Sequence, residues 1–167
     1  GAKTNPQDIW EMNIDRYLRL SKTSKEYGVK ICLENMFAPN KGRSFADICD
    51  NPYEAAKYVD TLNSIAGEGT FGFCFDTGHA LVGGVDCKDF MTFMGDRITC
   101  LHVHDNDGRD VHMAPYEGIL DWDRFIEGLV EIGFHETMDF ETHGAMNRFG
   151  PELAPYVLKL IEQIGRR

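Results

Sequence analysis

Residues 51–76, NPYEAAKYVDTLNSIAGEGTFGFCFD, hold one complete helix-then-strand unit. Asn51, Pro52 and Glu54 supply an N-cap, a proline at the first helical position and an acid in the first turn. The helix is expected to run to about Ile65, with Gly67 to Gly69 as a loop. Phe71–Asp76, FGFCFD, reads as a short apolar strand that ends in a carboxylate. The same unit occurs upstream. Asn5, Pro6 and Asp8 open a helix whose face is Ile9, Met12, Ile14, Tyr17 and Leu18, stopped by Gly28 after Tyr27. Val29–Glu34, VKICLE, follows as a strand and again ends in an acid.

Downstream, Asp86 precedes a short helix over Lys88–Met94, and Arg97–His102 is the third strand. Asp121 caps a helix carrying Trp122, Phe125, Ile126 and Leu129 that ends near Gly133. Thr137–Glu141, TMDFE, is the fourth strand, and a last helix carries Tyr156, Val157, Leu160, Ile161 and Ile164 with Pro155 in its first turn. Four strands alternate with about five helices, which makes the chain α/β. Strands that are short and apolar on both faces are expected to be parallel and buried. Phe37–Cys49 is the long stretch without a regular pattern, either a surface excursion or a lid over whatever follows Glu34.

At 167 residues the length fits one domain, and 43% hydrophobic with 26% charged residues is an ordinary globular composition. The net charge of −10 lacks the basic footprint that nucleic acid requires and suits a cation with a small substrate. No apolar run approaches the roughly 20 residues of a membrane span, and no signal peptide is visible, so no membrane partner and a cytoplasmic location are expected. Cys32, Cys49, Cys74, Cys87 and Cys100 are odd in number and lack zinc-type spacing, and read as core residues in a reducing compartment.

Each strand ends in an ionisable residue: Glu34, Asp76, His102 and Glu141. Parallel α/β folds build their sites at those ends. Leu101–Trp122, LHVHDNDGRDVHMAPYEGILDW, adds His104, His112, Asp105, Asp107 and Asp110, and on a strand His102 and His104 point to the same side. Three carboxylates and one imidazole suit one divalent ion, with Mn²⁺, Mg²⁺ or Co²⁺ favoured and Zn²⁺ admitted.

The motifs ICLEN, FCFDTGH, LHVHDN followed by DVHMAPYEGILDW, and DFETHG occur in an order that resembles the xylose isomerase-like TIM-barrel superfamily (AP endonuclease family 2). That group holds sugar epimerases, ketose and inositol-pathway isomerases, and endonuclease IV. The resemblance covers essentially the whole chain and matches the second half of the barrel. It implies a half barrel, about four of eight β/α units, with residues 1–167 as a single α/β domain.

The resemblance also implies roles. Glu34, Asp76, His102 and Glu141 correspond to the metal ligands, and Glu34 and Glu141 move the proton through an enediolate stabilised beside the cation. His79 corresponds to a substrate-contacting histidine, and His112 to a position near the metal that contacts substrate or, in the endonucleases, a second metal. Arg109 matches more loosely a basic residue that holds substrate oxygens. His104 stands behind the ligands; with a register two residues later it is the ligand and His102 its support.

The function implied is a metal-dependent sugar, sugar-phosphate or keto-polyol isomerase or epimerase. The alternatives are an endonuclease IV-like phosphodiesterase, disfavoured by the charge, and a non-catalytic half barrel that binds metal or sugar. The resemblance places some substrate-pocket walls in the other half, and a lone half sheet has two open edges. A homodimer or larger assembly is therefore expected.

Overall fold

The computed structural model describes residues 5–40, 43–46 and 48–166. In chain order the elements are α1 (Pro6–Tyr27), β1 (Ile31–Glu34), β2 (Phe37–Asn40), β3 (Arg43–Ala46), α2 (Pro52–Ala66), β4 (Phe71–Asp76), α3 (Thr77–Gly83) and α4 (Cys87–Met94). After these come β5 (Ile98–Val103), α5 (Trp122–Glu131), β6 (Thr137–Phe140), α6 (His143–Met146) and α7 (Ala154–Gly165). The caps expected at Asn5, Asn51 and Asp121 form, and Asp86 caps α4 in the same way. Asn5 accepts from Gln7 N, Asn51 from Glu54 N, Asp86 from Asp89 N and Asp121 from Arg124 N, while Gly28 closes α1 at φ 65°.

One sheet has the order β1-β4-β5-β6, all pairs parallel. Each strand lies beside its predecessor and the winding never reverses. That is the order of a TIM barrel, whereas a doubly wound sheet turns back at a switch point. The sheet is an α/β arrangement of four parallel strands, part of such a barrel.

Alternation along the strands separates two faces. Leu33, Phe73, Phe75, Leu101 and Val103 are buried against Val59 and Leu62 of α2, Phe90 and Met94 of α4, and Phe125 of α5. Phe90 lies between Phe73 and Phe75, with ring centroids 5.7 and 5.0 Å away. The opposite face is small and polar. Its cross-strand rows are Glu34–Cys74–Cys100–Thr137 and Asp76–His102–Asp139. A bulge between Phe73 and Cys74 brings Thr99 under Gly72, where a Cβ would overlap the threonine hydroxyl.

Burial on both strand faces, expected for the four parallel strands, holds along all of β4 but not along β1, β5 or β6. In β6 Thr137 and Asp139 are exposed, because this strand is an open edge. A groove of about 560 Å³ runs along that edge between Met138, Phe140, Leu158 and Ile161. In α7 only Ile161 is buried, and Tyr156 and Leu160 are exposed. In α1 the packed face is Trp10, Ile14, Tyr17 and Leu18, with Ile9 and Met12 exposed.

The expected irregular loop after Glu34 is instead an antiparallel hairpin of β2 and β3, with Phe37 paired to Ala46. Residues 41, 42 and 47 of that loop lie outside the described residues. The hairpin escapes a periodicity search because each strand has four residues and Pro39 interrupts the first. Among the described residues no helix is long and apolar enough to cross a membrane.

Candidate functional site

Glu34 ends β1, Asp76 ends β4, His102 is the second-last residue of β5, and Glu141 directly follows β6. Parallel pairing in register brings all four to one end of the sheet. His102 Nδ1 stands 3.2 Å from Glu34 Oε1, 3.4 Å from Glu141 Oε1 and 3.9 Å from Asp76 Oδ2. The hydrogen bond to Glu34, with the charges of Glu34, Glu141 and Asp76, outweighs partial burial and raises the His102 pKa to about 9.

Asp76 does two jobs. Its Oδ1 accepts from His79 N at 2.7 Å and so caps α3. Its Oδ2 is fully buried, has no hydrogen-bond partner, and faces the Nδ1 atoms of His79 and His102 at 3.8 and 3.9 Å. A buried, unpartnered carboxylate oxygen is costly unless something positive occupies its lone pairs. Burial opposes ionisation of Asp76, but His104 and His79 overcome it and hold the carboxyl below its usual range. One ligand atom each from Glu34, Asp76 and His102 lies within 4.8 Å of the others. The donor set and the orphaned oxygen fit a hard-to-borderline divalent cation.

The surrounding histidines are fixed by partners that sequence reasoning did not identify. Asn35 is buried and ties β1 to β4: its Nδ2 donates to Asp76 O at 2.9 Å and its Oδ1 accepts from Asp76 N at 2.8 Å. His79 Nδ1 donates to Asn35 O at 2.9 Å, so this nitrogen carries a proton and Nε2 is the one left for other contacts. The only advance signal was a polar side chain directly after the strand-end acid.

His104 follows the end of β5 and is fully buried, with Nε2 3.2 Å from Asp76 Oδ1. His102 and His104 thus approach the two oxygens of one carboxylate. A Cβ at Gly78 would overlap the His104 ring, which accounts for the glycine in Asp-Thr-Gly-His. Burial opposes the His104 charge, yet Asp76 prevails and raises its pKa.

His112 occupies the left-handed region at φ 47°, unusual for a residue with a Cβ. Its Nδ1 donates to Glu141 O at 2.8 Å, and its Nε2 lies 3.1 Å from Asp110 Oδ1. Burial and the charge on His104 lower its pKa. The ring stacks on His104 at 3.9 Å and meets His143 at 3.9 Å on its other side. His143, the first residue of α6, therefore belongs to the histidine stack.

Arg109 is not brought to this cluster. Its guanidinium is exposed and forks onto the carboxylate of Asp107, two residues away. Asp105 is buried and organises the loop beneath, accepting from Asn106 N, Leu120 N and Trp122 Nε1 at 2.9, 2.9 and 3.0 Å. Burial raises the thiols of Cys49 and Cys87 to about 12, and that of Cys74 is raised too, so these cysteines are poor nucleophiles.

Comparison with known proteins gives the same architecture. The inosose isomerase of Bacillus subtilis is 26% identical over 144 residues, covering 81% of this chain and 48% of that protein. A D-tagatose 3-epimerase-like protein superposes with a TM-score of 0.62 at 25% identity, covering 93% of this chain and 55% of the other. An IOLI protein with a bound zinc atom superposes at 0.66 with 24% identity, covering 92% and 52%. The chain spans under half the length of the curated relatives it matches. Residues 1–163 fit the family model described as xylose isomerase-like TIM barrel. Sequence match and barrel-order winding agree over almost the whole chain, which therefore belongs to the xylose isomerase-like TIM-barrel family.

Proposed function

We propose that this chain is the C-terminal half of a TIM barrel and carries the metal and proton-transfer residues of a sugar isomerase or epimerase. The observation that carries this reading is the placement of two glutamate oxygens, 3.2 and 3.4 Å from the same His102 nitrogen, beside the orphaned oxygen of Asp76. The similarity to an inosose isomerase and to a D-tagatose 3-epimerase-like protein supports a polyhydroxy ketone as substrate.

Glu34, Asp76 and His102, whose ligand atoms already cluster, would hold one divalent cation with Glu141, which approaches His102, as the fourth ligand; Mn²⁺, Mg²⁺ or Co²⁺ suits the oxygen-rich set and Zn²⁺ is also accepted. When bound, the ion supplies Lewis acidity to adjacent substrate oxygens. One of Glu34 and Glu141 takes the proton from the carbon next to the carbonyl, and the electron pair moves onto the carbonyl oxygen to give an enediolate. The other glutamate, as the acid, returns a proton. Return to the opposite face of the same carbon gives an epimer, and return to the neighbouring carbon, with the hydroxyl proton passing from one oxygen to the other, exchanges aldose and ketose. His79, its Nδ1–H committed to Asn35, offers Nε2 to a substrate hydroxyl. His112 stands beside Glu141 for a second contact.

The test is exchange of the carbon-bound proton of ketohexoses and inososes with deuterium oxide in the presence of Mn²⁺. Exchange is expected with the native chain, and Glu141→Gln should lower its rate by about 10²–10⁴-fold. Absence of exchange on every substrate, with metal bound, would overturn the reading.

A further inference from the structure

The polar face of the sheet holds a second ligand cluster that the proton-transfer chemistry does not use. Cys74 and Cys100 are register partners on neighbouring strands, and His102 lies two residues along β5 from Cys100 on the same face. One ligand atom each from Cys74, Cys100 and His102 lies within 4.8 Å of the others. Donors around tetrahedral zinc stand about 3.8 Å apart, given Zn–S bonds of about 2.3 Å. Their separations therefore exceed that spacing by at most about 1 Å. All five cysteines are free thiols, so neither sulfur is committed elsewhere.

Ligand softness separates this cluster from its neighbour. Two sulfurs and an imidazole select zinc-like or softer cations, whereas three carboxylates and an imidazole select harder ones. We propose that Cys74, Cys100 and His102 form a binding site for a thiophilic divalent cation, of zinc or cadmium type, that shares His102 with the carboxylate cluster. Two metal–sulfur bonds form as the two thiols release their protons to solvent, and no electron is transferred. A fourth position remains for water or for Glu34, which is paired with Cys74 across the strands. The site does not rest on the sugar chemistry proposed above.

Cd²⁺ titrated into the reduced chain tests this, with the ultraviolet thiolate-to-cadmium charge-transfer band as readout and no sugar present. One equivalent should bind with the band. The Cys74→Ser, Cys100→Ser double variant should lose the band while keeping its circular dichroism and its Mn²⁺ binding, and Cys87→Ser should retain the band. If the double variant fails to fold, Cys100→Ala at a half-buried position serves instead, with Cd²⁺ affinity expected to fall about tenfold or more. His102→Ala should weaken both Cd²⁺ and Mn²⁺ binding, which a site made by the thiols alone would not do. No band in the native chain, an unchanged band without Cys74 and Cys100, or unchanged Cd²⁺ affinity in His102→Ala would each overturn the proposal.

Discussion

Replacing Gly78 with alanine sets two effects of opposite sign against each other. Gly78 lies in the first turn of α3, where alanine is the better helix former by up to about 1 kcal/mol. Its backbone is not in the left-handed region, so no strain opposes the change. The added Cβ, however, lands within the ring of His104. That ring cannot swing away freely. It is fully buried, its Nε2 stands 3.2 Å from Asp76, and its face stacks on His112 at 3.9 Å. Overpacking a fixed site costs about 1–3 kcal/mol and exceeds the propensity gain. The net loss of about 1–2 kcal/mol should lower the melting temperature of Gly78→Ala by roughly 2–8 °C, taking about 2–4 °C per kcal/mol for a chain of this length. The assay is thermal unfolding of Gly78→Ala, His104→Ala and the double variant. Since the clash is with the imidazole, the double variant should be no less stable than His104→Ala alone, a non-additive result. Additive losses, or a Gly78→Ala chain at least as stable as the native one, would refute the reasoning.

Four further outcomes are expected. His102 must lose its proton to ligate a cation, so with its pKa raised to about 9 the Mn²⁺ affinity should rise about tenfold per pH unit from pH 7 and level above pH 9. In the metal-free chain the same ion pairs stabilise the fold fully below about pH 6.5, the ordinary histidine value, and fade as pH rises through about 9, which thermal melts in chelator will follow. Asn35→Ala should cost about 2–5 kcal/mol in urea unfolding, because it strips partners from both the N–H and the C=O of buried Asp76. The open β1 and β6 edges and the exposed side chains of α7 should drive association, so a native mass spectrum should contain a dimer or larger assembly; monomer alone at micromolar concentration would remove that expectation.

Much of the framework was legible because it is written locally. The Asn-Pro starts of α1 and α2, the Asp caps of α4 and α5, and the glycine after Tyr27 each need only neighbouring residues. Strand β4 was legible to the residue, since an apolar run bounded by glycine and a cap has sharp ends. Strand β1 starts at Ile31 rather than Val29, because Val29 N bonds back to Ser24 O at the end of α1. Helix α3 was hidden because Asp76 both ends a strand and caps the helix, with glycine in its first turn. The strand-end acids and His102 were legible one by one, but the side chains that hold them are tertiary. Asn35 reaches Asp76 across 41 residues, and no pattern announces that His143 will meet His112. Arg109 matched a motif loosely, yet its guanidinium forks onto Asp107 two residues away, and this local partner holds it.

The central claim is that Glu34, Asp76, His102 and Glu141 together hold one divalent cation. Calorimetric titration of Mn²⁺ into the chelator-treated chain, beside Asp76→Asn, tests it most directly. One equivalent should bind to the native chain, and Asp76→Asn, which replaces the orphaned oxygen's charge while keeping the side chain's size, should weaken binding by about 10-fold or more. No binding by the native chain, or equal binding by both proteins, would contradict the claim.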